Sequence, residues 1–290
     1  MKINIPQLHF SKIMRAIVEF ELISNGDKIL IGLSGGKDSL FLTYALAVMQ
    51  KRIKKSFSLE AVTIDPMFSE EYDYTPVDKK NTLSFSENHY NALTDFCHSL
   101  DIPHTVHKVN IASAIKTQKN SDPCFTCAFL RRGAINHFAL RHGCNKVAYA
   151  HHHDDAVETF LMSLFFSGQL QTFLPKTFLS KTGITVIRPL VYIREKEIID
   201  SLGIIPCSPL PSSCPFNGRT ARQKTKNIID NLSKENPLLY DHLSSAMREN
   251  SVKSLWPKIK HRSEMQRAYF SYNSATASSA TSDDGNLIER

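Results

Sequence analysis

Short apolar runs of strand length alternate along this chain with longer stretches in which apolar residues recur at helical spacing. Lys28-Ile29-Leu30-Ile31-Gly32-Leu33 is such a run; it breaks at Ser34-Gly35-Gly36 and resumes as a helix from Leu40 to Leu46. Leu59 to Asp65 predicts a second strand, Ser84 to Leu100 a weakly periodic helix, and His104 to Val109 a third strand. A helix from about Cys127 to Arg141, stopped by Gly143, leads into a strand at Lys146 to Tyr149, and Val157 to Phe166 predicts the next helix. Thr185 to Arg188 ends at Pro189, before a charged helix candidate from Arg194 to Ile199. This order predicts an α/β fold built on a doubly wound, mostly parallel sheet, with ligands at the carboxyl ends of its strands.

Beyond that point the pattern changes. Pro206, Pro209, Pro211 and Pro215 require a loop, Arg219 to about Asn250 is polar and helical, and Ser271 to Arg290 is Ser/Thr/Ala-rich with little to bury, which predicts a disordered tail. The expected organisation is an N-terminal helical segment at 1–25, a nucleotide-binding domain at 26–205, a cysteine-bearing loop with C-terminal helices at 206–270, and the tail at 271–290. Composition agrees with a globular chain: 290 residues are 42% hydrophobic, and no apolar run approaches the roughly 18 residues of a membrane span. The net charge of +7 is a moderate basic excess that favours a polyanionic partner, with nucleic acid among the candidates. Six cysteines without a secretion signal point to metal binding or thiol chemistry in a reducing cytoplasm, rather than to a disulfide framework.

Ser34-Gly35-Gly36-Lys37-Asp38-Ser39 sits where a strand passes into a helix. Adjacent glycines let several backbone N–H groups converge, the helix N-terminus adds its positive dipole end, and Lys37 with the hydroxyls of Ser34 and Ser39 completes a phosphate site. The spacing differs from that of a Walker A loop. His151-His152-His153-Asp154-Asp155 follows the fourth strand directly and falls at the same end of the sheet. Asp154 or Asp155 suits Mg²⁺ held against phosphates, and either can also cap the following helix; the imidazoles suit phosphate binding, proton transfer or a zinc ion. Cys124 and Cys127 lie three apart near a helix N-terminus, where the dipole favours thiolates, and can form a redox pair or share a metal centre with Cys207 or Cys214. Cys97 and Cys144 have no partner at useful spacing and read as small buried hydrophobes.

The loop Ser34 to Ser39 resembles the pyrophosphate loop of the N-type ATP pyrophosphatases. Taken with Cys124-Phe125-Thr126-Cys127, Leu130-Arg131-Arg132-Gly133, the His151 to Asp155 cluster, Ile187-Arg188-Pro189-Leu190 and Arg194-Glu195-Lys196, the chain closely resembles the tRNA 2-thiocytidine synthetase (TtcA) family over residues 10 to 235. That resemblance implies the adenine-nucleotide alpha-hydrolase fold and an ATP-dependent transfer of sulfur to cytidine 32 of tRNA. It further implies a four-iron four-sulfur cluster on Cys124, Cys127 and a third cysteine, and use of Mg²⁺. The nucleotide would be held by Ser34, Gly35, Gly36, Lys37, Asp38, Ser39, His152, Asp154 and Asp155, with Asp38 also catalytic. It also implies a cysteine desulfurase as sulfur source and a homodimer; Arg131 and Arg132, which neighbour Cys127, and Arg222 in the basic stretch that follows are the candidate RNA contacts read from charge.

The chain departs from the family where Cys207 and Cys214 stand seven apart with Pro215 following, and where Ala150 replaces a glycine. Cys214 is the expected third ligand, because its spacing to Arg222-Gln223 matches the family's, with Cys207 in reserve. The departure leaves open thiolation or amidation of another tRNA base or of a small molecule, and a non-catalytic zinc-containing RNA-binding module is the reading from another class.

Overall fold

The computed structural model describes residues 3–68, 87–117, 123–210, 221–248 and 261–279. It divides into two compact units, Met1–Met247 and Arg248–Arg290. In the first, the order is α1 (Gln7–Glu19), β1 (Asp27–Gly32), α2 (Lys37–Arg52), β2 (Phe57–Asp65), α3 (Glu87–Ser99), β3 (His104–Lys108), α4 (Ile111–Thr117), α5 (Pro123–Arg141), β4 (Lys146–Ala148) and α6 (His153–Ser167). It continues through β5 (Lys176–Leu179), β6 (Ile184–Ile187), α7 (Glu195–Asp200), a 3₁₀ turn at Leu202–Ile204, α8 (Ala221–Glu235) and α9 (Leu239–Ala246). The second unit carries α10 (Arg262–Ser279).

The six strands lie in the order β3-β2-β1-β4-β6-β5, parallel except for β5 at the edge. Alternation along β1 divides the core, because successive strand side chains point to opposite faces. Ile29 and Ile31 join the cluster formed with α1, α2 and α3, whereas Leu30 joins Val62, Ile64, Ile135, Phe138 and Val147 beneath α4 and α5. Helix α2 is buried continuously from Ser39 to Met49, so its N-terminus is held rigidly at the carboxyl end of β1. A third cluster joins α6 to α8 and α9 through Val157, Phe160, Leu161 and Ile229.

The register pairs Ile31 of β1 with Ala148 of β4. The loops leaving these strands diverge to opposite sides, which creates the switch-point crevice where doubly wound sheets bind ligands. A buried ion pair anchors the other end of β4: Lys146 Nζ lies 2.7 Å from Asp27 Oδ2 and donates to the Leu22 carbonyl at 2.8 Å.

The doubly wound α/β expectation is met, with strand ends displaced by one or two residues. Helix α5 begins at Pro123, four residues earlier than its apolar spacing indicates, because proline suits the first helical turn. Strand β5 was not predicted: it is four residues long, and its exposure alternates at the sheet edge. The stretch from Ser271, expected to be disordered, is helical as far as Ser279, where it continues the turns begun at Arg262; residues 280–290 lie outside the described residues.

Burial acts to raise the Asp27 carboxyl, but hydrogen bonds from Lys146, the Ser24 N–H and Asn145 outweigh it and hold it below the usual aspartate value. Its contribution to stability is therefore complete above about pH 4 and is lost as pH falls through the lowered value. Replacing Lys146→Met strands a buried carboxylate and is expected to cost about 3 kcal/mol or more at pH 7, with a smaller deficit at acid pH, read by denaturant unfolding at both pH values.

Candidate nucleotide site

At the carboxyl ends of β1, β2 and β4 lies an open cleft of about 440 Å³. The phosphate loop enters it through Ser34, Gly36, Asp38 and Ser39, β2 contributes Val62, Thr63 and Ile64, and Tyr149, His151 and Asp155 follow β4. Arg131 and Ile135 of α5 form the facing wall.

The loop is preorganised by its own serines. Ser34 Oγ donates to Ser39 Oγ at 3.1 Å, Ser39 Oγ donates to the Gly36 carbonyl at 2.9 Å, and the Ser34 N–H donates to Ser39 Oγ at 3.2 Å. Gly36 caps α2 without a side-chain hydrogen bond, so the first-turn N–H groups of this long buried helix are left for an anion. Gly35 has φ +81°, a conformation that strains a residue with a Cβ, and an added Cβ would lie 2.8 Å from Leu210 Cδ1. Leu210 in turn donates its N–H to the Gly35 carbonyl at 2.9 Å.

Lys37 is differently placed from the sequence expectation. Its ammonium lies 3.0 Å from Asp38 Oδ2 and 2.9 Å from Glu195 Oε1 of α7, and it does not line the cleft. Burial works against its charge, but Asp38 and Glu195 hold its pKa above the usual lysine value. Glu195 also pairs with Lys226 of α8; burial acts against its charge, yet the two lysines bring its pKa to about 2.

The cluster after β4 divides by role. His152 is buried and caps α6, its Nδ1 accepting from the Asp155 N–H while Asp155 Oδ2 accepts from the His152 N–H. The cap is thus His152, with Asp155 as its reciprocal partner, rather than either aspartate alone. Asp154 points away from a phosphate role: it accepts from Arg194 Nε at 3.1 Å and from the Glu195 N–H at 2.8 Å, and it does not line the cleft. Burial raises the Asp154 pKa less than these partners lower it. Asp155 remains at the cleft, its Oδ1 accepting from Arg222 at 2.7 Å, and Arg222 also binds Glu158 and Thr159. Arg222, expected on RNA, therefore serves here as the partner of the Asp155 and Glu158 carboxylates. His153 packs beside Tyr240, and the three histidines do not converge on one point.

Four cleft residues keep a buried polar atom with no hydrogen-bond partner: Asp38 Oδ1, Arg131 Nε, Tyr149 Oη and His151 Nδ1. Such atoms are costly unless a ligand satisfies them, so their convergence marks this cleft as a polar-ligand site. Burial, then Arg188, pushes His151 down to about 4, so at neutral pH it offers a neutral imidazole. Tyr149 and Leu210 escaped the sequence reading of the site, since their roles depend on neighbours distant in the chain, whereas His151 belonged to the cluster the sequence singled out.

Cys124 and Cys127 are half-buried at the start of α5, one turn apart, and neither is in a disulfide. Cys127 packs against the α4/α5 core cluster, whereas Cys207 packs against the α1/α2/α3 cluster that contains Cys97. Cys214 lies outside the described residues. Among the described residues no three His, Cys, Asp or Glu side chains are placed to hold a metal ion, and no helix is long and apolar enough to cross a membrane. Burial pushes Cys97 up to about 12 and Cys144 to about 11, which makes both inert hydrophobes, as expected.

A glycine loop at a switch point, an uncapped helix behind it and an adenosine-sized cleft beside it define a PP-loop nucleotide-binding domain, and the PP-loop domain model matches residues 7–204. The chain belongs to the tRNA-cytidine(32) 2-sulfurtransferase family within this class. It is 33% identical over 244 residues to the tRNA-cytidine(32) 2-sulfurtransferase of Citrifermentans bemidjiense, covering 82% of this chain and 88% of that protein. It is 35% identical over 240 residues to that of Geobacter sulfurreducens, covering 80% and 86%. Among solved structures, the U34-tRNA thiolase NcsA from Methanococcus maripaludis with its [4Fe-4S] cluster shares the fold at TM-score 0.64 and 21% identity, over 88% of this chain and 80% of that one.

Two substitutions separate binding from support. Gly35→Ala imposes a Cβ on a positive-φ position against Leu210, and at least a tenfold loss of ATP affinity is expected by calorimetry. Asp154→Asn, by contrast, should leave ATP affinity within about twofold while lowering stability by about 1.5 to 3 kcal/mol, toward the smaller figure because Arg194 is partly solvated. That deficit should shrink only as pH falls through the lowered Asp154 pKa, below the usual aspartate range, where the wild-type carboxylate itself becomes protonated.

Proposed function

We propose that this protein uses ATP to replace the 2-oxygen of cytidine 32 in the tRNA anticodon loop with sulfur, giving 2-thiocytidine. The observation that carries the reading is that α5 bears the cysteine pair and the wall of the nucleotide cleft together. Arg131, which lines the cleft, follows Cys127 by four residues, about 6 Å along the helix axis. The relatives that match four fifths of the chain bear the name of this activity.

The chemistry requires two displacements. The pyrimidine oxygen attacks the α-phosphorus of ATP, the α–β anhydride bond breaks, and pyrophosphate leaves with the electron pair. A sulfur nucleophile at the sulfide level then bonds to the activated ring carbon, and AMP departs with the oxygen, so no oxidant or reductant is consumed. The N–H groups at the start of α2, with Ser34 and Ser39, receive the departing pyrophosphate. Asp38 and Asp155 are the carboxylates at the cleft suited to Mg²⁺, Asp155 being positioned by Arg222. Tyr149 and the neutral His151 offer hydrogen bonds to the incoming nucleoside, and Arg131 and Arg132 counter its phosphates.

The chain's thiols fit a three-ligand iron–sulfur cluster. Cys124 and Cys127 supply two donors on one helical turn. Cys214, outside the described residues, would be the third: it stands eight residues before Arg222, which is held at the site by Asp155, and four after Leu210, which is held there by Gly35. When bound, such a cluster supplies one iron without a protein ligand, a soft site for sulfur. The reading also carries a cysteine desulfurase as sulfur source, a homodimer, and a cytoplasmic place of work.

Anaerobic purification with iron and sulfide analysis tests this reading on wild type, Cys214→Ala and Cys207→Ala. Wild type and Cys207→Ala should be brown and should form 2-thiocytidine in tRNA supplied with ATP, Mg²⁺ and sulfide; Cys214→Ala should be colourless and inactive. A colourless wild type holding stoichiometric zinc, or ATP cleavage without tRNA thiolation, would overturn it.

A further inference from the structure

Helix α5 buries Thr126, Ile135, Phe138 and Ala139 against the core. Phe125 and Phe129 of the same helix are solvent-exposed, 65% and 62%, one turn apart and within the turns that carry the cysteine pair. Their rings stack on one another, with centroids 6.4 Å apart and planes within 13°. A solvated helix face ordinarily carries polar side chains, and two phenyl rings held in water give up the stabilisation that burial would bring. Arg132 continues the strip one turn on, exposed, its Nε donating to the Ala128 carbonyl at 3.1 Å. Arg131, beside it, lines the nucleotide cleft.

Flat aromatic surface flanked by guanidinium groups matches the chemistry of single-stranded RNA, whose unpaired bases stack on aromatic rings while cations meet the phosphates. The chain's net charge of +7 adds to this complementarity with a polyanion. We propose that Phe125 and Phe129 form a stacking platform for an unpaired base of the substrate RNA next to the nucleotide that enters the cleft, with Arg132 on the adjoining phosphate. The proposal rests on the RNA-substrate reading above and adds to it the residues that hold the loop open.

The test compares wild type, the double variant Phe125→Ala/Phe129→Ala, and Phe129→Trp, measuring affinity for an anticodon stem-loop RNA and for ATP, together with sedimentation. Since stacking is worth about 1–3 kcal/mol per base, the double variant should bind the RNA roughly 5- to 150-fold more weakly, with ATP affinity, thermal midpoint and oligomeric state unchanged. Phe129→Trp should keep wild-type affinity, and RNA should quench the fluorescence of the new tryptophan. Wild-type RNA affinity in the double variant would overturn the platform while leaving the RNA-substrate reading intact. If wild type binds ATP but no RNA, that reading fails and the platform with it. A change of oligomeric state in the double variant would assign the rings to a subunit contact and also overturn the proposal.

Discussion

The pairing of β1 with β4 is the constraint on which the site depends. Strand β4 has only three residues, so its alignment cannot rest on ladder hydrogen bonds alone. The buried Lys146–Asp27 pair secures one end, and the hydrophobic side chains of Val147 and Ala148 secure the rest. With Ile31 opposite Ala148, the phosphate loop and the His151 to Asp155 turn must leave the sheet side by side. A slip of one residue would turn Tyr149 away from Gly32, where an added Cβ would meet its ring at 3.2 Å, and would dismantle the cleft wall.

Around this crevice the polar residues form two tiers. The outer tier of Asp154, Arg194, Glu195 and Lys226 ties α6, α7 and α8 together. The inner tier of Asp38, Asp155, His151 and Tyr149 faces the cleft, and three of its four members keep buried polar atoms unsatisfied. Neighbours in sequence are thereby divided: Asp154 is consumed by the fold and Asp155 is available to the ligand. Helical spacing explains the division, since adjacent residues on α6 face about 100° apart.

Much of this was legible in the sequence because it is local. The strand-loop-helix at Ser34 to Ser39 announces itself by composition, and the alternation of apolar runs announces a parallel sheet. The start of α5 was misread because Pro123 and the polar residues before it look like a loop, although proline belongs in a first helical turn. The separate duties of Asp154 and Asp155, the capping by His152, and the meeting of Leu210 with Gly35 all depend on residues brought from elsewhere in the chain. Local patterns reveal such residues as candidates and leave their partners unseen.

The position of Lys37 bears on how the loop exists without its ligand. Between Asp38 and Glu195 its ammonium already has anionic partners, so Lys37 itself is neutralised before a phosphate arrives. An arriving phosphate competes with a carboxylate for that ammonium, and the net gain is the difference between two ion pairs rather than the whole of one. Glu195 thus behaves as a built-in counterion, an internal stand-in that keeps the loop assembled and moderates its grip on any stray anion.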